Sequence, residues 1–508
     1  MQAALTIEGK VGNWDLTYAG AYLDRKDSQS SDYTDYAEAY DQLYHSVGGI
    51  AGYFYFTNAA GTTIDPRQLV LGTDHFKKTS QELRVASPQD ERFRIVAGLF
   101  YQRQSNAIHQ DYRVAGLSPA MSVNGLPGTL WLTQQHRVDK DYAMFGEAAF
   151  DILPNLTLTA GGRAYIYDNS LVGFFGFGRN PAGPPYNAAG SSRTGVAGCF
   201  TTDGLTVRDG SGAPLMPAVV PGGPCTNLGS YESTGVIPKE TQGQGFLHKL
   251  NLTWKPIEHI LFYGTWSRGY RPGGINRRGT IPPYQADFLT NYEFGWKTTL
   301  FDGLLRFNGA VYQQDWKNFQ FSFLGQNSFT EIHNGPNARI RGVEADVNLT
   351  TGGLTLTASG AYTDAKTTQN LCAADDPTYT CATSSISAPK GTRLPVTPRF
   401  KANATARYSF PIGPATAMSK ASSRIKARSR RTCAVARPRY WARSANRPPP
   451  ISRSDPCSAI SRSRRSYENA FDARAELTRT QECGNCFQRV YQVFSRPRTF
   501  GIRAGSKF

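Results

Sequence analysis

Residues 156–167 read Leu156-Thr157-Leu158-Thr159-Ala160-Gly161-Gly162-Arg163-Ala164-Tyr165-Ile166-Tyr167. The even positions carry Leu156, Leu158, Ala160, Ala164 and Ile166, whereas the odd positions carry Thr157, Thr159, Arg163, Tyr165 and Tyr167. Successive side chains of a β-strand point to opposite faces. The stretch therefore predicts a strand with one apolar face and one polar or phenolic face.

The same alternation returns at 249–255, 343–350 and 401–410, where apolar side chains occupy every second position. Amphipathic helical stretches of comparable clarity are absent from the sequence. No apolar run reaches the roughly eighteen residues that a membrane-spanning helix needs. The sequence therefore predicts an all-β protein and excludes membrane-spanning helices.

Short turn sequences join many of the predicted strands. Five of them are Pro88-Gln89-Asp90-Glu91, Leu153-Pro154-Asn155, Lys255-Pro256-Ile257-Glu258, Phe301-Asp302-Gly303 and Thr351-Gly352-Gly353. They predict tight antiparallel hairpins. The opposite strand ends lead into long connections at 27–75, 169–242 and 367–396, so we expect short turns at one end of the molecule and long loops at the other.

This asymmetry favours a large antiparallel transmembrane β-barrel. Barrel strands cross the hydrocarbon with about ten residues, and they have short periplasmic turns and long extracellular loops. Six aromatic side chains near strand ends suit an interfacial girdle, or equally well ordinary cross-strand pairs: Trp14, Tyr22, Tyr142, Trp254, Tyr263 and Trp266. A soluble β-rich carbohydrate-binding or surface protein remains the alternative.

The charge of the chain is concentrated in one segment. The 508 residues carry a formal net charge of +17, yet residues 419–466 alone hold fourteen Lys or Arg and one acid, Asp455. The rest of the chain is nearly neutral, so the charge does not indicate nucleic acid as a partner. An aromatic content of 12% and a charged content of 19% also exclude a disordered chain.

The sequence resembles the TonB-dependent receptors of the Gram-negative outer membrane. The matching segments are Ser80–Ser87, Tyr142–Glu147, Leu156–Arg163, Ser267–Asn276, Tyr292–Lys297, Arg341–Glu344, Glu468–Asp472 and Pro497–Phe508. Each segment alone is a weak signal, but their order and spacing together are specific. The last one is a closing strand that ends on an aromatic residue, as outer-membrane barrels usually do.

The resemblance implies a barrel of about 22 antiparallel strands that is filled by an N-terminal plug. Such receptors import scarce solutes such as siderophores, vitamins or saccharides, and the TonB complex supplies energy through the plug. We expect the chain to begin inside the barrel, without a plug, TonB box or signal peptide before Met1 and with about seventeen of the strand positions after it. We therefore expect a truncated barrel at 1–416, with its end at 467–508, that is not competent for transport. The expected partners are outer-membrane lipid, lipopolysaccharide and a small extracellular solute.

Residues 417–466 depart from the family pattern because they are rich in Arg, Ser and Pro and do not alternate. Family-like sequence resumes at Tyr467. Our hypothesis is a pair of compensating frameshifts in a GC-rich gene, at about residues 416 and 466. The rival interpretation is a genuine basic insert that binds lipopolysaccharide or nucleic acid without specificity.

Six cysteines are candidates for disulfides in an exported barrel. They form the neighbouring pairs Cys199 with Cys225, Cys372 with Cys381, and Cys483 with Cys486. The third pair could also indicate a zinc or redox site, although it lacks the second ligand pair that zinc needs. Cys433 and Cys457 fall in the suspected misread segment, and we assign them no role.

No catalytic motif emerges, so we expect no enzyme activity and no cofactor. The seven histidines are scattered without the close spacing of a metal site. Charged residues expected on the lumen face could contact a plug, a solute or each other, and pairing along the inner wall is the preferred interpretation: Arg84, Arg163, Arg268, Arg271, Glu293 and Glu344. The three long loops are the better candidates for capturing a substrate.

Overall fold

The computed structural model describes residues 1–34, 56–119, 122–123, 126–177, 228, 230–232, 235–277, 282–324, 330–372, 381, 386–412, 415–426, 451–457, 462–468, 472, 474, 476–481, 490–494 and 496–505. The regular elements in these ranges are β-strands. None of the described segments forms an apolar helix of the length that a membrane crossing requires.

The strands are β1 (Gln2–Val11), β2 (Trp14–Asp32), β3 (Gln68–Ala86), β4 (Phe93–Val114), β5 (Thr129–Leu153), β6 (Leu156–Phe177), β7 (Ser230–Glu232), β8 (Gly235–Ile237), β9 (Lys239–Ile257), β10 (Ile260–Arg271), β11 (Asp287–Leu300), β12 (Leu305–Lys317), β13 (Gln320–Leu324), β14 (Thr330–Asn334), β15 (Ala338–Thr351), β16 (Leu354–Thr367), β17 (Leu371–Cys372), β18 (Ile386–Ala388), β19 (Phe400–Ile412), β20 (Ala415–Lys426), β21 (Ile451–Cys457), β22 (Arg462–Glu468), β23 (Glu476–Gln481), β24 (Val490–Phe494) and β25 (Thr499–Gly505).

Seventeen of these strands form one antiparallel sheet in which neighbours in space follow each other along the chain. The order is β1-β2-β3-β4-β5-β6-β9-β10-β11-β12-β15-β16-β19-β20-β21-β22-β25. The other eight form four small hairpins within the long connections. Within the described ranges, β1 pairs only with β2 and β25 only with β22, so the sheet is open.

The five predicted hairpins are confirmed, although the β9–β10 turn is Glu258-His259 because Lys255, Pro256 and Ile257 belong to β9. The five turns lie at one end of the sheet, which we call the turn end. The pair Leu153↔Leu156 closes the β5–β6 hairpin, and Leu300↔Leu305 closes the β11–β12 hairpin. In the second turn Gly303 has a φ of +87°, a left-handed conformation that glycine adopts without strain. The long connections lie at the opposite end, which we call the loop end.

Several strands extend further towards the loop end than the sequence predicts. The β2–β3 ladder continues through Asp27↔Asp74 to Asp32↔Leu69, and the β6–β9 ladder continues to Leu171↔Lys239. Alternation marks a strand only where its two faces meet different surroundings. The extension of β2 at 27–32 carries only polar residues, so its sequence resembles a loop although its backbone is paired.

Large exposed apolar side chains lie on one face of the sheet, which we call the outward face. The ladders place Leu99, Met144 and Ala164 side by side, and Met144 is 63% exposed. Twelve further exposed side chains share this face by register: Leu5, Ile7, Leu83, Ile166, Phe246, Leu252, Phe294, Val311, Val343, Leu356, Phe400 and Tyr408. An apolar surface that continues across so many strands is expected to contact lipid rather than water.

Five of the six predicted girdle aromatics are on the outward face: Trp14, Tyr22, Tyr142, Trp254 and Trp266. Tyr263 is the exception, and its assignment to the girdle was wrong. Its hydroxyl lies on the opposite, inward face and donates a hydrogen bond of 2.7 Å to Glu293 Oε1. Position near a strand end does not fix the face of an aromatic residue, because the girdle needs both the right depth and the right alternation.

The basic segment also contributes strands to the sheet. β20 pairs with β19 from Ile412↔Ala415 to Lys401↔Lys426, and β21 pairs with β20 and β22. Backbone hydrogen bonds do not depend on side-chain identity, so a sequence without alternation can still extend a sheet. The frameshift hypothesis therefore remains a prediction about the gene.

Candidate functional site

The inward face of the sheet is polar, and its charged groups pair with neighbours along the wall. Lys249 Nζ lies 2.8 Å from Glu147 Oε2 across the β5–β6–β9 ladders. Arg163 Nη2 lies 3.5 Å from Asp141 Oδ1, and the same guanidinium lies over the Phe100 ring at 5.1 Å from its centroid. This face can hold water or a polar solute, whereas the outward face cannot.

Five of the six charged residues that the sequence placed on the lumen face are on the inward face. Arg84 lies 3.9 Å from Glu82, Glu293 accepts the Tyr263 hydroxyl, and Arg271 pairs with Asp287. Glu344 lines a hollow of about 680 Å³ nearer the turn end, together with Lys297, Asp346, Lys401 and small residues such as Gly360. Because small residues line this hollow and charged residues surround it, a polar segment or a polar solute can enter it.

Arg268 is the exception, because it shares the strand face of Trp266 and Tyr270. Its guanidinium carbon lies 4.1 Å from the centre of the Phe288 ring, so a cation–π contact takes the place of the expected pairing on the inner wall. The register of β10 and β11 runs without interruption from Ile260↔Thr298 to Arg271↔Asp287. The side chain of Arg268 would therefore point outward if the β10–β11 hairpin stayed in the plane of the sheet over its whole length.

The loop end of the β10–β11 hairpin leaves the wall instead. Pairing between β9 and β10 ends at Ser267↔Lys249, four residues before β10 ends. Beyond this point Tyr270 lies against the inward face of β6, where its ring centroid is 3.7 Å from that of Tyr165 and 6.3 Å from that of Tyr167. The hairpin has therefore folded over the inside of the sheet.

Two glycines on β9 make room for the tyrosine rings of β6. Gly245 pairs with Tyr165, and Gly243 pairs with Tyr167. A Cβ atom at Gly245 would come within 2.6 Å of the Tyr165 hydroxyl. Because these positions lack side chains, both rings can lie flat along the wall and remain at least 94% buried beneath the hairpin.

Amide side chains fix the folded hairpin to the wall and to the next loop. Asn169 Nδ2 on β6 donates to the Gly273 carbonyl at 2.7 Å. Asn276 is buried and bonds to the backbone of Ile332 on β14 in both directions, at 2.9 Å each. Gln320 Nε2 donates to the Pro272 and Gln285 carbonyls. The segment 272–286 is therefore held at both ends.

The Arg271–Asp287 pair closes the base of this segment. Asp287 is 2% exposed and accepts from Arg271 Nε at 3.0 Å and from the Gln320 backbone N–H at 3.0 Å. Hydrogen bonding to Asp287 raises the pKa of the Arg271 guanidinium. A buried carboxylate with three N–H donors is a well-satisfied anchor.

A second guanidinium lies beyond the anchor. Arg277 is close enough to Tyr112 and Arg137 for their charges to affect it. Loss of water contact lowers the pKa of Arg277, the Tyr112 phenol raises it, and the Arg137 guanidinium lowers it further.

The structure joins Cys372 at the end of β17 to Cys381 by a disulfide, with Cα atoms 5.5 Å apart. Cys199, Cys225, Cys483 and Cys486 lie outside the described residues. Nowhere in the described ranges do three or more His, Cys, Asp or Glu side chains gather in a way that could hold a metal ion. The described parts of the long loops thus carry aromatic, amide and guanidinium groups.

Sequence reasoning missed the central residues of this arrangement, namely Tyr165, Tyr167 and Tyr270 as a stack and Asn276 as an anchor. Tyr270 and Asn276 lie within Ser267–Asn276, of which the sequence analysis singled out only the charged Arg268 and Arg271 besides the resemblance. A partial signal was present: Pro272-Gly273-Gly274 ends a strand without a following helix. Alternation alone does not predict the position of Tyr270, which only its contact with Tyr165 reveals.

Comparison with known proteins agrees with this architecture. The family model described as "TonB dependent receptor-like, beta-barrel" matches residues 2–455. The structure of the ferric yersiniabactin uptake receptor FyuA from Yersinia pestis is similar with a TM-score of 0.65 at 13% identity, over 99% of this chain and 60% of that one.

Two other solved structures resemble this chain. The siderophore receptor PiuA from Acinetobacter baumannii has a TM-score of 0.59 at 12% identity, over 99% of this chain and 63% of that one. The unliganded ferric citrate transporter FecA has a TM-score of 0.59 at 13% identity, over 100% of this chain and 61% of that one. The chain thus spans about three fifths of the length of these structures.

The family match confirms the resemblance seen in the sequence, and the expected fold class is confirmed with it. The turn end is periplasmic and the loop end is extracellular. The soluble alternative loses its support. The chain belongs to the TonB-dependent receptor-like β-barrel family.

Proposed function

We propose that the chain forms the barrel portion of a receptor that imports a scarce solute across the outer membrane. Its family consists of receptors, and the similar structures are named for ferric yersiniabactin uptake, for siderophores and for ferric citrate transport. Siderophores, vitamins, saccharides and metal complexes are the candidate solutes. Energy from the TonB complex would reach the barrel through a plug domain.

One observation carries this proposal: the β10–β11 hairpin folds inward and presents aromatic and guanidinium groups below the extracellular loops. Tyr270 is stacked on Tyr165, and Arg163 and Arg277 lie on the same side of the sheet. Binding sites generally combine apolar or aromatic walls with a few fixed polar groups. A site built in this way suits a flat or aromatic solute that carries negative charge.

We further propose that additional strands complete the barrel. The described sheet has two free edges, at β1 and β25, and lipid does not tolerate unpaired backbone groups. Without those strands and a plug, the sheet cannot enclose a passage. The chain by itself is therefore expected to bind its solute without transporting it.

Binding can be measured on the full chain refolded in detergent micelles. Ferric siderophores, cobalamin and oligosaccharides would be titrated separately while tyrosine and tryptophan fluorescence is followed. We expect at least one solute class to bind. Tyr270→Leu should weaken binding by up to about tenfold, because the loss of an aromatic stacking contact costs about 0.5–1.5 kcal/mol.

The matched control is Tyr292→Leu, which removes a tyrosine from the outward face. This variant should bind as the unaltered chain does. If no solute class binds, or if both variants lose affinity equally, the inward site is not the recognition site. Uptake of a solute by cells that produce only the unaltered chain would contradict the need for further strands and a plug.

For residues 417–466, we propose a frameshifted translation flanked by barrel sequence at 1–416 and 467–508. The Arg, Ser and Pro composition supports it, together with the resumption of family-like sequence at Tyr467. Translation of the same nucleotides in the two other frames should give alternating strand sequence. If neither frame does, the segment is a genuine insert.

A further inference from the structure

One edge of β9 is unpaired where the β10–β11 hairpin turns inward. β9 pairs with β6 up to Leu171↔Lys239, but it pairs with β10 only up to Ser267↔Lys249. Between Lys249 and Lys239, no described residue forms a ladder with the β10 side of β9. An unpaired strand edge is a template on which another strand can form backbone hydrogen bonds.

β10 itself is the strand whose register fits this edge. Continuing the β9–β10 ladder in the same register would place Gly269 opposite Leu247 and Tyr270 opposite Phe246. The β10–β11 ladder is uninterrupted, so the hairpin can move as one unit. Gly269 lies just after the point where β10 leaves the wall, and a Cβ atom there would meet nothing within 4 Å. Such a residue can absorb the bend between two positions of the hairpin.

The two positions put Tyr270 on opposite faces of β9. In the structure its ring lies against the inward face, with its centroid 3.7 Å from that of Tyr165. Phe246 is on the outward face and is 61% exposed, so the backbone of β9 separates it from Tyr270. In the continued ladder the two rings would be directly opposite on the outward face, and such aromatic cross-strand pairs stabilise sheets. Tyr270 therefore has an aromatic partner in either position.

Side chains, rather than a β-ladder, hold the hairpin in its inward position. The Tyr165–Tyr270 stack and the bond from Asn169 Nδ2 to the Gly273 carbonyl join it to β6. In the other position, backbone pairs with β9 would replace these contacts. Each arrangement thus satisfies groups that the other leaves without a partner, which is the property of a two-state element.

We propose that the β10–β11 hairpin exchanges between the inward state described above and a wall state, in which β10 continues its ladder with β9 to Tyr270↔Phe246. The inward state keeps Tyr165 and Tyr167 at least 94% buried. The wall state uncovers both rings, so a solute reaches them from the loop end, and the returning hairpin completes the site with Tyr270. This role in solute entry rests on the proposed function, whereas the exchange between the two states does not.

Pairs of cysteines can trap each state in the full chain refolded in detergent micelles, because a disulfide forms only between neighbouring residues. Phe246→Cys/Tyr270→Cys should form a disulfide in the wall state alone. Leu247→Cys/Tyr270→Cys should form one in the inward state alone, since Leu247 and Tyr270 pack against the same tyrosines there. Both variants lack the Tyr270 ring, so the balance of the two states is altered equally in each. We expect both disulfides in a glutathione redox buffer, identified by tryptic mass spectrometry.

The control is Phe246→Cys/Tyr292→Cys, which places two cysteines on the outward face of β9 and β11, with β10 between them. It should form no disulfide. If residues 246 and 270 do not cross-link, or cross-link no more than this control, the wall state does not exist. A missing cross-link between 247 and 270 would equally overturn the exchange, because the inward state would then not be populated.

Solute binding to the cross-linked chains tests the role of the two states. With ferric siderophores, cobalamin and oligosaccharides as probes, oxidised Phe246→Cys/Tyr270→Cys should bind more weakly than Tyr270→Cys, and reduction should restore the affinity of that single variant. Oxidised Leu247→Cys/Tyr270→Cys should bind as its reduced form does. Equal affinity of the oxidised and reduced wall-state variant would overturn the role in solute entry. If no probe binds the unaltered chain, the proposed function fails, while the cross-links still decide whether the hairpin exchanges.

Discussion

At the scale of the residue, the lack of a side chain at Gly245 fixes the packing of Tyr165 and, through it, of Tyr270. The ring of Tyr165 occupies the space next to this glycine, and Tyr270 stacks on the ring. A valine at 245 would overlap the Tyr165 hydroxyl, because a Cβ atom there already lies within 2.6 Å of it. The lack of a side chain at Gly245 therefore permits the tyrosine stack.

Gly245→Val should lower the free energy of unfolding by about 1–3 kcal/mol, the usual cost of overpacking. It should also weaken solute binding, because Tyr165 must leave its position under Tyr270. Unfolding in urea, followed by tryptophan fluorescence in micelles, measures the first effect. Gly264→Val is the control, since a Cβ atom at Gly264 has no neighbour within 4 Å. Equal losses in both variants would mean that the Tyr165 contact is not responsible.

The Cys372–Cys381 bond is a second property of single residues. The bond joins residues with a sequence separation of 9. Because it restricts the unfolded chain, it should raise the free energy of unfolding by about 2–3 kcal/mol. In chain purified without reductant, neither thiol should react with maleimide. Cys372→Ser should free Cys381 to react, and tryptic mass spectrometry shows which cysteine carries the label. Labelling of both cysteines before reduction would contradict the pairing.

At the scale of the element, the β10–β11 hairpin depends on the Arg271–Asp287 anchor. Asp287→Asn removes the negative charge that faces Arg271 and leaves the buried position with fewer strong acceptors. The loss of such a charge-assisted bond costs about 1–3 kcal/mol. The segment 272–286 should therefore open more often, and it contains trypsin sites at Arg277 and Arg278.

Trypsin should cut after Arg277 at least about fivefold faster in Asp287→Asn, because 1 kcal/mol changes the population of the open state by about that factor. The cleavage rate comes from mass spectrometry of the released fragments. Asp90→Asn in the β3–β4 turn is the control, because it changes the same charge far from the hairpin. If the rate is unchanged in Asp287→Asn, or rises equally in Asp90→Asn, the anchor does not hold the segment.

The strands and turns near the lipid could be predicted from the sequence, but the extracellular extensions and the inward hairpin could not. Alternation at 156–167 is strong because one face meets hydrocarbon and the other meets water. Above the lipid both faces meet water, and the signal disappears although β2 and β3 remain paired to Asp32↔Leu69. The position of Tyr270 could not be predicted, because β10 leaves the wall after Ser267 and its alternation no longer indicates which surroundings each face meets.

At the scale of the whole molecule, the ladders convert many local alternations into two continuous surfaces. A slip of one residue in any ladder would move that strand's apolar side chains to the inner wall. The exposed apolar residues from β1 to β19 remain on one face instead. The sequence could predict this apolar surface, because the same alternation recurs in each strand. It could not predict the inward site, because that site depends on contacts between strands far apart in sequence.

The final prediction tests which surface meets lipid. Leu250→Arg places a charge on the outward face of β9 and should destabilise the chain in lipid vesicles by about 2–4 kcal/mol. Thr159→Arg is the control: Thr159 is adjacent in sequence to Ala160, the ladder partner of Leu250, but points inward, so its cost should be below about 1 kcal/mol. Heat-modifiable migration after urea titration in vesicles measures both. Because the two positions differ in face and hardly in depth, an equal loss would show that the outward face does not contact hydrocarbon.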